Sequence, residues 1–353
     1  MPTPLTVLRL LSRLATVGWL ICLLPAAARA EAPPATYRVV DATPAFWRYW
    51  EHARELDQAE QVRLFLEQVV AAYPDLYTAR VLGLDEKRPL REELAKRYPK
   101  YFQFVSPHFD TMSRLSKELQ QKLPLYEARF RHEFPDMSYT GEVYFLNSLG
   151  AFDGATREVK GKTALLFGVE MIAAIYGPTA DVEPFFDHEL FHIYHKQFMD
   201  PGAEDTLAAA LWREGLATYV AQALNPNVSE RILFGLPEDM PTRARPLLPK
   251  LAAELRAKLD SQAPEEYAAF FLANAPRQDI PARSGYFVGY QVARELARTR
   301  TLAELAHLHG SQLRTALVEA LRRLEAPPSR AALPRPQRLP NGRFIASLVP
   351  GTS

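Results

Sequence analysis

The sequence predicts an α+β protein, mainly helical, with a small β-sheet set between helical parts. Three observations predict it. From Thr43 to about Met137, apolar residues recur at three- and four-residue steps. After Pro135 the texture changes. GEVYFLNSLG and KTALLFGVEMIAAIYG are rich in Val, Tyr, Phe, Leu and Ile, with Gly close by. Helical texture then returns in ADVEPFFDHELFHIYHKQFM and runs nearly to the end.

The first thirty residues read as a leader. Arg9 and Arg13 precede an apolar run from Leu14 to Ala28, and Ala28-Arg29-Ala30 supplies a small-x-small cleavage site. The run is 15 residues, short of the roughly 20 needed to span a bilayer. A signal peptide at 1–30 therefore implies an exported protein, periplasmic or secreted in a bacterium, with no membrane span in the mature chain. The only cysteine, Cys22, follows Ile21 rather than a small residue, so lipidation is not expected. A mature chain without thiols has no cysteine nucleophile or ligand. The 353 residues are 48% hydrophobic, enough for one large domain or two. Lys and Arg number 42 against 41 Asp and Glu, so no field attracts nucleic acid.

Residues 31–137 form a helical N-terminal region. In FWRYWEHARELDQAEQVRLFLEQVVAAY, Phe46, Trp50, Leu56, Val62, Phe65, Val69 and Val70 follow helical spacing. EKRPLREELAKRY and DTMSRLSKELQQKLPLYEARFRHEF continue it, with Pro124 expected to kink or divide the latter. The two apolar runs after Pro135 read as strands of a hairpin joined through AFDGATREVKG. ADVEPFFDHELFHIYHKQFM is one helix, closed by Asp200-Pro201-Gly202. TLAAALWREGLATYVAQAL is the next, closed by Asn225-Pro226-Asn227. SGYFVGYQVARELARTR follows later. TLAELAHL carries Thr301 and Glu304 at capping-box spacing, and SQLRTALVEALRRLE is the last helix. Residues 138–325 form the second region, and a Pro/Arg-rich tail occupies 326–353.

Chemistry concentrates in DHELFHIYH, which holds three of the eight histidines. His188 and His192 are four apart, so on a helix they share one face about 6 Å apart along the axis. Glu189 adjoins the first imidazole. H-E-x-x-H thus sets two nitrogen ligands and a general base on one turn. Zinc there lowers the pKa of its water toward ~7, and Glu189 takes the proton as the water attacks a carbonyl. A helix with incidental histidines is the plain alternative. Against it, Glu189 lies among Phe185, Phe186, Leu190, Phe191, Ile193 and Tyr194, where a charge needs a reason.

A zinc site needs a third ligand. His195 is seven residues past His188, about 10 Å along a straight helix, and converges poorly. It reads instead as a residue behind the ligands or facing substrate, or as a plain surface histidine. Glu214 in LWREGLATYVA fits better. It follows His192 by 22 residues, room for a turn and a return helix on which Leu211, Glu214, Thr218 and Ala221 share a face. A salt bridge with Arg213 is its plainer reading. Asp205 competes as ligand, but reads as the N-cap of that helix.

HELFH followed by WREGLATY resembles the gluzincin metallopeptidases, the thermolysin-like group with two His and a downstream Glu as ligands. EGLATY together with SGYFVGYQVARELA is more particularly similar to a little-characterised family of predicted zinc-dependent proteases related to a lipoprotein of bacterial gliding motility. The resemblance covers roughly residues 138–300 and leaves the N-terminal region unexplained. It implies a gluzincin-like catalytic domain with one Zn2+ per chain on His188, His192 and Glu214. Glu189 would be the general base, and the substrate a peptide or protein. It also implies an oxyanion-stabilising Tyr from a later helix, Tyr286 or Tyr290, with Tyr286 preferred of the two; that both are plain core aromatics is the equal alternative. Such enzymes often carry an Asp four residues after the ligand Glu to orient a ligand His. Thr218 stands there, which leaves Asp187 for that task. An edge strand, VYFLNSLG or TALLFGVE, would pair with the substrate backbone. Glu170 could bind a substrate amino terminus, though the polar end of a strand is the simpler reading. The alternative function is a non-catalytic envelope binding or assembly protein that keeps the fold.

Overall fold

The N-terminal region is helical, as its periodicity requires, but it begins with a strand. A computed structural model describes residues 37–199, 205–275 and 277–326. The expected leader, the turn at Asp200-Pro201-Gly202 and the tail beyond Ala326 lie outside the described residues. β1 (Arg38–Asp41) leads into α1 (Thr43–Ala53), α2 (Gln58–Phe65), α3 (Ala79–Leu82), α4 (Leu90–Val105) and α5 (Phe109–Glu133). Asp57 and Thr78 cap α2 and α3 by accepting from Glu60 N and Val81 N. Pro124 does not divide α5, which runs unbroken for 25 residues. An interior proline costs about 3 kcal/mol. The burial of Leu115, Leu119, Leu123, Tyr126 and Phe130 along one stripe outweighs that.

Next come β2 (Glu142–Leu146), β3 (Gly154–Val159) and β4 (Lys162–Gly168), then α6 (Val169–Tyr176). The sheet order is β1-β2-β4-β3. β1 and β4 both pair with β2 in parallel, with Val40 opposite Tyr144 and Val143 opposite Leu165. β3 is antiparallel to β4. The two apolar runs are therefore neighbours but not a hairpin, because the linking GATREV is itself a strand. The tight turn is Lys160-Gly161, both at positive φ (51° and 72°), which joins β3 to β4 as a short hairpin. β2 and β4 lie inside the sheet, buried along most of their length, as continuous apolar runs demand. They offer no free edge to a substrate. β1 and β3 are the edges. MIAAIY belongs to α6, so Glu170 lies in a helix's first turn and is wholly buried, not at the end of a strand.

α7 (Glu183–His195) and α8 (Leu207–Leu224) follow, packed on each other. The cap of α8 is Thr206, whose hydroxyl accepts from Ala209 N; Asp205 is not the cap. The amides that an Asp205 cap would serve, Leu207 N and Ala208 N, donate instead to the Ser261 and Leu259 carbonyls at 2.9 and 2.8 Å. α9 (Glu230–Phe234), α10 (Met240–Ala244), α11 (Leu248–Ala257) and α12 (Pro264–Phe271) lead to α13 (Ser284–Leu296), which packs on α8. α14 (Leu302–Ala306) starts with the expected Thr301–Glu304 capping box, and α15 (Gly310–Glu325) ends the described chain. The described residues all belong to one compact unit. Among them no helix is long and apolar enough to cross a membrane.

Candidate metal centre

α7 divides its side chains by face. Phe186, Leu190, Phe191 and Tyr194 are fully buried in the core, while His188, Glu189 and His192 line the clefts on the other side. α8 brings Glu214 to the same place. His188 Nε2 and His192 Nε2 are 3.1 Å apart. Glu214 Oε2 lies 3.7 Å from the first and 3.5 Å from the second. Two ligands about 2.05 Å from a tetrahedral ion stand about 3.3 Å apart, close to all three spacings. Two imidazoles and a carboxylate, with a fourth position left open, are also the donor set of catalytic zinc sites. The residues fit a metal ion, and they are the one such group among the described residues.

The two oxygens of Glu214 have separate tasks. Oε2 faces the imidazoles, while Oε1 accepts from Arg213 Nε at 3.1 Å. The salt bridge and the ligand position are thus compatible. Burial pushes the Glu214 carboxyl up, but the imidazoles of His192 and His188 outweigh it and hold it well below the usual carboxylate range. Glu189 behaves in the opposite way. Burial pushes its carboxyl up to about 7, the nearby carboxylates of Glu214 and Asp153 add to this, and His188 opposes it. A carboxyl held near neutrality is suited to taking and returning a proton.

Two clefts meet at Glu189, Glu214 and Tyr286. The larger, about 900 Å3, runs along β3 and the C-terminal end of α7. The smaller, about 170 Å3, reaches His188 and is closed by Tyr176, Phe185, Phe234 and Arg283. Tyr286 lines both. Burial, and then the charge of Glu214, raises its hydroxyl above the usual tyrosine range. The Arg283 guanidinium sits 4.4 Å from its ring centroid. Tyr290 is not part of the site. It packs on Tyr219 and Phe234, at 5.9 and 5.5 Å between ring centroids, and lines neither cleft.

The surroundings of the ligands differ from the expectation. Asp187 orients no ligand histidine. It accepts from Asn225 Nδ2 at 2.7 Å, and burial pushes its carboxyl up to about 8. Successive helical residues point about 100° apart, which turns Asp187 away from the cleft. Thr218 donates to the Glu214 carbonyl at 2.7 Å, a bond within its own helix. His195 is neither exposed nor in a cleft. It is buried and stacked on Phe191 at 5.3 Å. Asp205 is exposed and outside the ligand group.

Sequence reasoning missed three residues that shape the site. A Cβ on Gly154 would lie 3.0 Å from Glu189 Cγ, so the start of β3 backs directly onto that side chain. A glycine in a strand is the one available signal for such an approach. Arg283 holds φ at 59°, rare for a side chain of its size, and donates to the Leu236 carbonyl at 2.9 Å. Arg157 follows on β3 and lines the larger cleft. No family model, curated protein or solved structure matches the chain. The gluzincin resemblance therefore stands on the motif residues alone.

Proposed function

We propose that the protein is an exported zinc metallopeptidase that hydrolyses peptide bonds in the double cleft. The observation that carries this reading is the convergence of His188 Nε2, His192 Nε2 and Glu214 Oε2 within 4.8 Å of one another, with Glu189 beside them in both clefts. Held by these three residues, zinc supplies a Lewis acid that polarises the scissile carbonyl and acidifies water. Glu189 accepts the proton of the attacking water and returns it to the leaving amine. Tyr286 donates its hydroxyl to the developing oxyanion. β3 presents an edge beside Glu189, where an extended peptide can add as a further strand.

The test is zinc per chain in the purified protein, wild type beside Glu214→Ala, with peptide-library hydrolysis by wild type and Glu189→Gln. One zinc in wild type, its loss in Glu214→Ala, and a zinc-bound but inactive Glu189→Gln are the expected results. Full activity in Glu189→Gln would sink the reading. Zinc without turnover on any peptide would replace it with the non-catalytic envelope protein.

A further inference from the structure

We infer that the larger cleft takes an acidic stretch of the peptide substrate, on one side of the scissile bond only. The inference rests on the peptidase reading for the polymer that enters the cleft, and on charge for its composition. The chain as a whole is nearly balanced, with 42 basic and 41 acidic side chains. The larger cleft is not. Arg157, Lys162, Lys196 and Arg213 line it, and among the described residues its only carboxylates are Glu189 and Glu214 of the centre itself. Arg213 is matched by Glu214. The other three are exposed and make no ion pair among the described residues.

Their neighbours on the same sheet are paired. Glu158 meets Arg80 at 3.5 Å, Lys160 meets Asp75 at 3.0 Å, and Glu142 meets Arg38. Arg157 and Lys162 stand on the β3–β4 hairpin that carries two of those pairs, and among the described residues Arg157 bonds only its neighbour's carbonyl, Thr156 O at 3.1 Å. Lys196 faces the same space from the end of α7. Three cations that make no ion pair among the described residues, around a groove beside an open strand edge, complement a peptide bearing Asp or Glu. The smaller cleft has no such bias, since Arg283 is balanced there by Asp153. The preference therefore belongs to one side of the cut.

The experiment uses the zinc-loaded chain carrying Glu189→Gln, so that binding is read without turnover. Fluorescein-labelled peptides of alternating Ala-Glu, Ala-Gln and Ala-Lys, and a single-stranded oligonucleotide of equal charge to the first, are titrated by anisotropy at two salt concentrations. The Ala-Glu peptide is expected to bind at least roughly tenfold more tightly than Ala-Gln, with the advantage shrinking in salt. Arg157→Gln/Lys162→Gln/Lys196→Gln, all at exposed positions, should abolish that advantage. Equal binding of the acidic and neutral peptides would overturn the inference. So would an unchanged advantage in the triple variant, or tighter binding of the oligonucleotide. The two readings separate cleanly. Acidic-peptide binding with no hydrolysis by wild type removes the peptidase and keeps the basic groove. Hydrolysis indifferent to acidic residues keeps the peptidase and removes the groove.

Discussion

Gly215 on α8 and Gly289 on α13 lie face to face. A Cβ on Gly215 would stand 2.2 Å from the Gly289 carbonyl carbon, and one on Gly289 would stand 2.4 Å from the Leu211 carbonyl oxygen. Both collisions are with backbone, which has no rotamer to escape into. The crossing brings Tyr286, three residues before Gly289, beside Glu214, one before Gly215. Gly289→Ala should therefore force the helices apart. Alanine is the better helix former by about 1 kcal/mol, but overpacking of about 1–3 kcal/mol opposes it. Against backbone atoms this close, we expect the second effect to win. The expected outcome is a lower Tm with metal content unchanged, since the candidate ligands His188, His192 and Glu214 lie on α7 and α8. An unchanged Tm would show that the crossing has slack.

The same crossing separates two tyrosines that are four residues apart. Tyr286 lines both clefts, while Tyr290 is held by Tyr219 and Phe234. On the proposed peptidase reading, Tyr286→Phe should lower kcat by roughly 10²–10³-fold with little change in KM, as expected for a donor used mainly in the transition state. Tyr290→Phe should leave kcat within about twofold. Steady-state kinetics on one cleaved peptide decides it, with zinc content as the control. Equal losses in the two variants would remove Tyr286 from the oxyanion role.

The centre was legible because its geometry is local. Four-residue spacing places His188 and His192 on one face whatever surrounds them, and Glu214 needed only a second helix to return. What was not legible depends on distant partners. RVVD is too short to signal a strand, and it becomes β1 only through pairing with β2, about a hundred residues on. GATREV carries Thr156, Arg157 and Glu158 in a row and reads as a loop. β4 makes it a strand. Periodicity puts Tyr286 and Tyr290 on one helix face without saying which turn lies over the ligands; the Gly215–Gly289 contact decides that. Asp187 misled by adjacency, since a neighbour in sequence is about 100° away around a helix. The helices between Ser229 and Phe271 are short, and several open with a proline in the first turn, too little chain for a period to emerge.

Glu170 gives a pH dependence away from the metal centre. Its carboxyl is wholly buried and accepts from Ser148 Oγ at 2.6 Å. Burial raises it from 4.5 to about 7 in the folded protein. Between those values the folded state holds the proton and the unfolded state does not. Stability from this group is thus full below about pH 4.5 and falls as pH rises through 7, by on the order of 3 kcal/mol. Glu170→Gln keeps an acceptor for Ser148 and cannot ionise. Its stability relative to wild type should climb from pH 5 to pH 8, as read from urea melts at each pH. A flat difference would mean that Glu170 ionises without penalty.

His195 makes the opposite prediction and tests its exclusion from the ligand set. Burial, with the charges of His192 and Arg213, lowers its imidazole from 6.5 to about 3. The unfolded chain then binds a proton that the folded chain refuses. The contribution is fully present above pH 6.5 and is lost as pH falls from there toward 3. His195→Phe preserves the stack on Phe191 and removes a buried Nδ1 that has no partner among the described residues. Phenylalanine is the larger ring, so packing strain of about 1 kcal/mol or more opposes the gain from removing that atom. Strain does not vary with pH, however, so the change between pH 8 and pH 5 isolates the titration. The variant should lose less stability over that range than wild type does and, on the proposed metal assignment, should match wild type in metal content. If His195→Phe instead lost the metal, the third ligand would have to be reassigned from Glu214, and the gluzincin reading would go with it.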